Sequence, residues 1–418
     1  MSTFRSVFIA VLIATVILVA ALLIHMRRPA VETQQPTPEL VLATGKCANC
    51  HRNETAAIVT EYERSRHAQE NVTCLDCHGP RDNQESFDHR GFVLAKQVTA
   101  LNCDQCHATQ YNEFLRSRHA APAYAAVQGS APFTEEQVAF SETYHEGAVD
   151  RPPNALAMLE GEAAITSGCV SCHSIGKPNP DGSIGNCTAC HARHQTSIKL
   201  ARLPQTCGQC HMGPDHSQLE IYLESKHGVL FNAQREVMNL DADPMRLTVH
   251  DMPVPTCATC HMSGLEGESV THDVTERLSY WLFAPVSEQR PTYLQGQAEM
   301  KAICSNCHTD EHTDLFYAQA ESVLVATNAK VREAAAIMDN LRSEGLLTPE
   351  PFDEPIEFVY FDYWHYYGRT AKHGAFMGGA DFVQWHGNYE LLALLVELKA
   401  EAEELRTLHG SAAEHTTP

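Results

Sequence analysis

Two shortages limit what this chain of 418 residues can be. No cysteine lies outside one repeated motif, since all 16 cysteines belong to copies of Cys-x-x-Cys-His. None is therefore left for a structural disulfide or a lone catalytic thiol. Basic residues are also few, with 30 Lys and Arg against 52 Asp and Glu and a formal charge of -22. This charge argues against a nucleic-acid partner, and it suits either plain solubility or a basic redox partner.

The repeated motif has the spacing of a covalent haem attachment site. Its two cysteines form thioether bonds to the haem, and the histidine that follows binds the iron from one side. Zinc sites and thiol-exchange pairs also use Cys-x-x-Cys, but neither requires a histidine directly after every pair. The eight copies therefore predict eight covalently attached c-type haems.

The motifs are spread along the chain from Cys47 to His308. The predicted haem-attaching cysteines are Cys47, Cys50, Cys74, Cys77, Cys103, Cys106, Cys169, Cys172, Cys187, Cys190, Cys207, Cys210, Cys257, Cys260, Cys304 and Cys307. The predicted proximal iron ligands are His51, His78, His107, His173, His191, His211, His261 and His308. Each haem has little polypeptide around it, so we expect a mainly α-helical fold in which short helices and loops wrap the haems. A large parallel sheet is not expected.

Further histidines are available as distal ligands on the other side of each iron. The phrase Ser-(Arg/Lys)-His recurs at His67, His119 and His227, which favours a ligand role over ordinary surface positions. The predicted distal ligands are His67, His119, His194, His216, His227, His272 and His386. Haems with two histidine ligands are coordinatively full and transfer electrons without binding substrate. Seven such haems would leave one iron open for chemistry.

The first residues read as a membrane anchor. Residues 6–24 (SVFIAVLIATVILVAALLI) carry no charge and approach the ~20 residues that a membrane-spanning helix needs. The run is too long for a typical signal peptide and has no small-x-small cleavage site, so we expect an uncleaved anchor. Because haem attachment takes place outside the cytoplasm, the haem domain should face the periplasm or the cell exterior.

Local composition predicts five regions along the chain. The predicted organisation is an anchor at 1–28, a flexible tether at 29–45, an octahaem domain at 46–312, a helical region at 313–408 and a polar tail at 409–418. The stretch 315–346 has apolar residues at helical spacing up to Gly345, which predicts one long helix there, and a second amphipathic helix is predicted over about 382–405.

Three stretches together resemble the octahaem hydroxylamine oxidoreductase family. They are residues 207–229 (CGQCHMGPDHSQLEIYLESKHGV), 255–279 (PTCATCHMSGLEGESVTHDVTERLS) and 361–393 (FDYWHYYGRTAKHGAFMGGADFVQWHGNYELLA). The resemblance implies a helical, often trimeric, multihaem protein whose fourth haem lacks a distal protein ligand. It thereby implies that Cys169, Cys172 and His173 hold the reactive haem, and that the substrate is a small inorganic nitrogen compound.

Related families fit less well. Ammonia-forming nitrite reductases usually carry lysine in place of the histidine of their reactive motif, whereas all eight motifs here end in histidine. Octahaem tetrathionate reductases use a distal lysine, for which Lys226 and Lys372 are the candidates.

The resemblance also implies a histidine and a carboxylate above the open iron, just before the seventh motif. His250 fits this position, with Asp241, Asp243 or Asp251 as the carboxylate. Breaking an N–O bond requires proton delivery to oxygen, which a histidine paired with a carboxylate can perform. The alternative role for His250 is that of a distal ligand to another haem.

The direction of the reaction depends on a tyrosine. Family members that oxidise hydroxylamine or hydrazine have a tyrosine bonded to the reactive haem, expected here within 368–388. This stretch has no tyrosine, and Phe382 occupies the best-fitting position. We therefore expect reduction of nitrite or hydroxylamine toward ammonia, fed by a quinol-oxidising or other cytochrome. The alternatives are oxidation, if the tyrosine lies nearby, and a pure electron conduit without substrate chemistry.

Overall fold

The chain is mainly helical, as the sequence predicts. The computed structural model describes residues 15, 16, 18, 19 and 38–415. Within these residues the helices, numbered in chain order, are α1 Pro38–Glu54, α2 Ala56–Glu63, α3 Arg66–Gln69, α4 Cys74–His78, α5 Ala100–Arg116, α6 Ala121–Gln128, α7 Glu135–Glu142, α8 Ala155–Glu160, α9 Glu162–Ala164, α10 Val170–His173, α11 Ile198–Arg202, α12 Pro204–Gly208, α13 Gln218–Glu224, α14 Lys226–Gln234, α15 Cys257–His261, α16 Tyr293–Ser305, α17 Asp310–Ser343, α18 Pro355–Phe361, α19 Arg369–Met377, α20 Ala380–Val383 and α21 Tyr389–His415.

Other regular structure is sparse. A two-stranded antiparallel hairpin joins β1 Ser86–His89 to β2 Phe92–Ala95, with Ser86 opposite Ala95. Short 3-10 turns lie at Ser174–Gly176, Cys187–Ala189, Pro244–Arg246 and Leu265–Gly267. Three π-helical segments, in which the turn is one residue wider, lie at Ile165–Cys169, Asp362–Gly368 and Gln384–Asn388. The last interrupts the helix that the sequence predicts over 382–405.

The described residues form two compact units that divide between Arg64 and Ser65. The first unit contains α1 and α2, and with them the first Cys-x-x-Cys-His motif. The second unit contains all later motifs and the long C-terminal helices. The sequence did not predict this boundary, because both sides of it belong to the stretch that carries the motifs.

Several motif helices begin at a threonine that caps them. Thr73 precedes α4, and its backbone N–H donates to the Asp76 carboxylate at 2.6 Å, while Thr256 and Thr259 form the same reciprocal cap on α15. Such caps satisfy backbone N–H groups that a helix leaves unpaired at its start. The two cysteines and the histidine of a motif then lie at i, i+3 and i+4, on one side of a single helical turn.

The apolar core of the second unit is built on the long helices α17 and α21. On α17 the buried residues Val331, Ala334, Met338 and Leu341 recur at helical spacing, and they pack in one cluster with α21 residues such as Leu391. This matches the amphipathic pattern expected for 315–346. The helix begins after the Thr309 cap, earlier than the sequence predicts, and it ends at Ser343, before Gly345.

Replacing Leu391 with alanine should lower the free energy of unfolding by about 2–5 kcal/mol, because it leaves a cavity where the side chain is fully buried. Its neighbour Leu392 is 55% exposed, so Leu392→Ala should change that free energy by less than about 0.5 kcal/mol. Chemical unfolding of the haem-loaded protein, followed by circular dichroism, measures both variants. Equal losses would contradict the packing described for α21.

The predicted membrane localisation is contradicted. Within the part of the chain that the structure describes, no helix is both long enough and apolar enough to cross a bilayer. The apolar run at 6–24, on which that prediction relied, lies outside the described residues except for 15, 16, 18 and 19.

Candidate active site at the fourth motif

The cysteines of the motifs are arranged to hold covalent cofactors. All 16 are free of disulfides. In the second unit, residues of motifs three to eight line one continuous cavity of about 2910 Å³. The same cavity is lined by imidazoles that come from outside the motifs, including His67, His119, His227 and His272. Thiols and imidazoles around a shared internal space are the donor set that c-type haems require.

Five motif histidines have a second imidazole facing them at a consistent distance. An imidazole nitrogen binds a transition metal at about 2 Å, so two imidazoles on opposite sides of one iron have ring centres roughly 6 Å apart. The observed separations are 6.4 Å for His78–His194, 6.0 Å for His67–His107, 6.4 Å for His191–His272, 5.8 Å for His119–His211 and 6.0 Å for His227–His308. These five pairs fit haem irons with two histidine ligands.

Burial keeps these imidazoles in the form that binds iron. Removal from water lowers the pKa of His119 to about 3 and those of His191 and His211 to about 4, with a smaller contribution from neighbouring imidazoles. The pKa of His261 is likewise lowered to about 4 by burial and by Arg277. Neutral imidazole is the ligand form, so protonation does not compete with the metal near neutral pH.

The fourth motif differs from these five. The π-helical segment Ile165–Cys169 leads into α10, where Nδ1 of His173 donates to the carbonyl oxygen of Ala123 at 2.5 Å. This hydrogen bond fixes the proton on Nδ1 and leaves Nε2 as the ligand nitrogen. Among the described residues, no imidazole faces His173 at the separation found in the five pairs. Burial lowers the pKa of His173, and nearby His216 adds to this effect.

A paired carboxylate and imidazole lie in the same cavity. The Asp215 carboxylate contacts Nδ1 of His216 at 2.5 Å, and both residues line the cavity together with His173. The His216 ring packs on Phe283, with centres 5.1 Å apart. Burial raises the pKa of Asp215, but the hydrogen bond and charge of His216 outweigh burial, so that this pKa is lowered overall. Asp215 thus stays ionised and orients the His216 ring.

A second group of polar residues surrounds this pair. Nη1 of Arg369 lies 2.8 Å from Nε2 of His365, and Nε of Arg369 donates to the Phe283 carbonyl at 2.8 Å. Burial and the adjacent guanidinium lower the pKa of His365 to about 3, so this imidazole is neutral and accepts the hydrogen bond. Tyr366, on the same π-helical segment as His365, also lines the cavity.

The residues predicted just before the seventh motif lie elsewhere. His250, Asp241 and Asp243 are exposed at the surface. Asp251 is half-buried, and its carboxylate accepts hydrogen bonds from Asn239 and Thr248 within a turn, while Asp243 caps the 3-10 turn at Pro244–Arg246. None of the four is among the described residues that line the cavity. The structure therefore brings Asp215 and His216 to the fourth motif in their place.

The predicted distal ligands divide into two groups. His67, His119, His194, His227 and His272 are the five that face motif histidines. His216 lies 6.1 Å from the His211 ring, but His119 already faces His211, and His216 is engaged with Asp215. His386 is exposed and forms an ion pair with Asp381 at 3.1 Å, which does not suit a buried iron ligand.

The lysines considered for a tetrathionate reductase can also be placed. Lys372 is fully buried, and its Nζ donates to the carbonyl oxygens of Ala284 and Pro285 and to the Ser287 hydroxyl. Its amine is therefore occupied and does not serve as a distal ligand. Lys226 lines the cavity but is exposed, and it lies at the start of α14 next to His227, which faces the eighth motif. Lys372 therefore does not support that interpretation, and among the described residues nothing places Lys226 at the fourth motif.

Neighbouring motifs meet through their thiols. Sγ of Cys210 in the sixth motif lies 4.0 Å from the Cys172 carbonyl in the fourth, and Sγ of Cys172 lies 3.7 Å from the Gln209 carbonyl. A hydrogen bond to Cys187 and burial raise the pKa of Cys103, which places motifs three and five together. A hydrogen bond to Cys257 raises the pKa of Cys207, and thiols of motifs two and three, five and six, and seven and eight are close enough to raise one another's pKa. Motifs two to eight thus form a continuous series, in which the fourth contacts the sixth.

The fold and these sites define a multihaem c-type cytochrome. Residues 70–355 match the family described as "Seven times multi-haem cytochrome CxxCH", and the chain belongs to this family. The matched stretch contains motifs two to eight, and the motif at Cys47 precedes it.

Individual relatives support the resemblance noted from the sequence. The chain is 24% identical to the "Probable nitrite reductase-hydroxylamine oxidoreductase fusion protein" of Kuenenia stuttgartiensis over 74% of the chain, and it spans only 39% of that relative's length. A solved "Hypothetical multiheme protein" has a TM-score of 0.75 at 21% identity and covers 92% of this chain and 100% of its own. A reducing HAO-like protein complex of the same organism has a TM-score of 0.67 at 19% identity, with 92% and 90% covered. The predicted resemblance to hydroxylamine oxidoreductase-like multihaem proteins is confirmed.

Proposed function

We propose that the chain reduces nitrite or hydroxylamine toward ammonia at a haem held by Cys169, Cys172 and His173. One observation carries the proposal: the Asp215–His216 pair shares the cavity with His173, and no described imidazole faces His173 across it. A site with a ligand on one side and a proton-transfer pair in the adjoining space suits catalysis, whereas the five histidine pairs suit electron transfer.

The residues of the pocket have separate tasks in this reaction. A c-type haem bound at the fourth motif supplies electrons and one coordination position for the substrate nitrogen. With both ring nitrogens protonated, His216 would keep its Nδ1–H on Asp215 and give the Nε2 proton to a departing oxygen, after which Nε2 takes up another proton from solvent. The Asp215 carboxylate stabilises the protonated ring and holds its orientation. Each oxygen that leaves the nitrogen as water takes up two protons, so a positioned proton donor is needed at every step.

The other motifs would deliver the electrons. The contact between Cys172 and Cys210 attaches the fourth site to the sixth, and the sixth lies within the series of thiol contacts. Facing imidazoles would make the sites at motifs two, three, five, six and eight coordinatively full, so these five would conduct electrons without binding substrate. The Asp215–His216 pair, which shares the cavity with His173, then favours the fourth site as the place where substrate binds.

Two findings support reduction over oxidation. Residues 368–388 contain no tyrosine that could bond to the haem, and Phe382 is buried. The similar HAO-like complex carries the word "reducing" in its name. One observation favours the oxidative alternative, since Tyr366 lines the cavity near Asp215. A tyrosine-linked chromophore in a haem peptide spectrum would establish that alternative.

A redox protein is the expected partner. The similar reducing HAO-like protein is part of a complex. The formal charge of -22 favours a partner with a basic surface, because opposite charges speed diffusional encounter. Assembly into a homotrimer, with C-terminal helices between subunits, remains a prediction from the family resemblance.

Steady-state assays test substrate and direction together. The haem-loaded protein is given nitrite or hydroxylamine, once with a reduced dye and once with an oxidant. We expect dye-dependent ammonia formation from both compounds and little consumption with the oxidant. Turnover only with the oxidant would establish the oxidative alternative, and turnover under neither condition would favour the electron conduit.

A further inference from the structure

A buried arginine lies in the wall of the pocket and is not needed for proton transfer. Arg369 begins α19, directly after the π-helical segment Asp362–Gly368, and its guanidinium packs over the rings of Trp364 and Phe283 at 5.0 and 5.3 Å. Its Nε and Nη1 are held by the Phe283 carbonyl and by His365. Among the described residues Nη2 has no protein acceptor, although Arg369 lines the cavity.

Among the described residues, no carboxylate forms a direct ion pair with this guanidinium. Asp215 is close enough to act on Arg369 electrostatically, but its carboxylate is hydrogen-bonded to His216. His365 is neutral, and Lys372 on the same helix is turned to oxygens of Ala284, Pro285 and Ser287. Burial lowers the pKa of Arg369 only to about 10, so it stays charged at neutral pH.

Arg369 offsets the negative charge that Asp215 brings to this part of the pocket. The ionised Asp215 carboxylate by itself disfavours a negative substrate, and the guanidinium opposes that effect. A guanidinium also offers planar paired donors that match the two oxygens of a small oxyanion, in a site partly shielded from water. Hydroxylamine is neutral and gains nothing comparable from a fixed positive charge.

We propose that Arg369 is the residue that makes the pocket selective for a small monoanionic oxyanion, nitrite, over neutral hydroxylamine. This inference rests on the proposed function, since it assigns the substrate class of the same site. The guanidinium binds nitrite through the donors that the protein leaves free, while His216 serves the departing oxygen. The reduced product, ammonium, is a cation, so the same charge favours its release.

Two variants at this position separate charge from shape. Arg369→Gln removes the charge and keeps a polar side chain, whereas Arg369→Lys keeps the charge without the planar fork. Arg118 provides a matched control, because it also lines the cavity and packs over an aromatic ring, that of Trp281, at 4.4 Å. For each protein, kcat/KM is measured with nitrite and with hydroxylamine, and nitrite binding is followed separately by the absorption change of the haem.

We expect Arg369→Gln to raise the Kd and KM for nitrite by about 10- to 100-fold, as expected for loss of charge-assisted hydrogen bonds. The kcat/KM for hydroxylamine should change little in Arg369→Gln. The Kd and KM of Arg369→Lys for nitrite should lie between those of wild type and Arg369→Gln. Arg118→Gln should leave the ratio of kcat/KM for nitrite to kcat/KM for hydroxylamine unchanged. Unchanged nitrite affinity, or an equal loss with both substrates, would overturn the assignment. If Arg369→Gln fails to load haem, the nitrite affinity of Arg369→Lys is compared with that of wild type instead, and equal affinities would overturn the assignment. If the wild type turns over neither substrate, the proposed function fails, while the nitrite titration still tests Arg369.

Discussion

Replacing His216 with alanine should lower the rates of nitrite and hydroxylamine reduction by about 10²- to 10⁴-fold, the usual contribution of a positioned proton donor. Haem content should be unchanged, because His119 and not His216 faces His211 across the site of the sixth motif. The two quantities are measured on the same preparation, by dye-coupled turnover and by haem absorption. Loss of one haem's low-spin signal with normal turnover would instead identify His216 as an iron ligand.

Two comparisons sharpen this experiment. Asp215→Asn removes the charge that holds the His216 ring, so it should also slow turnover, although less than loss of the imidazole itself. His250→Ala tests the candidate taken from the sequence. Its side chain is exposed and outside the cavity, so we expect nearly normal activity. A large loss at His250 and none at His216 would restore the sequence-based assignment and refute the pocket proposed here.

Removing the haem of the sixth motif should isolate the fourth site from the rest of the series. The double variant Cys207→Ser, Cys210→Ser lacks the thiols for attachment, and Cys210 is the residue that meets Cys172. When the fully reduced protein is mixed with nitrite, we expect nearly all haems of the wild type to be reoxidised, but little beyond the fourth in the variant. Stopped-flow absorption measures this amplitude.

The control for this variant is the matching change at the second motif, Cys74→Ser, Cys77→Ser. Cys77 of that motif lies near thiols of the third motif, away from the contact between the fourth and the sixth, so loss of this haem should leave the haems of motifs three and five to eight in communication with the fourth. Nearly complete reoxidation in both variants would contradict the attachment of the fourth site to the sixth. Mass spectrometry confirms that each variant has lost a single haem.

Local patterns predicted a large part of this molecule. The spacing of Cys-x-x-Cys-His fixes which side chains share a helical turn, and periodic apolar residues predicted α17 to within a few residues at its end. The recurring Ser-(Arg/Lys)-His phrase favours His67, His119 and His227 as distal ligands, and in the structure each of them faces a motif histidine. In each case the information lies within a few turns of one helix.

Local sequence patterns do not predict which residues line the pocket. His173 and His216 are distant in sequence, and only tertiary packing brings both to one cavity. The one local signal was the adjacent Asp215 and His216 after the sixth motif, within a stretch that already carried the family resemblance. The sequence favours His250 because that residue lies just before the seventh motif. Its place in the sequence does not show whether its side chain is buried, and in the structure it is exposed.

The π-helical segments alter how this chain should be compared with its relatives. An α-helix turns about 100° for each residue, so one extra residue in a turn rotates every later side chain by that amount relative to an unbroken helix. Phe382 lies between two such segments, Asp362–Gly368 and Gln384–Asn388. Against a relative whose helix is unbroken, counting residues along a gap-free alignment would drift by one place across each segment. To find the residue that corresponds to the tyrosine of a relative, the two structures should be superposed and residues on the same helix face compared. Sequence position alone is a poor guide in this region.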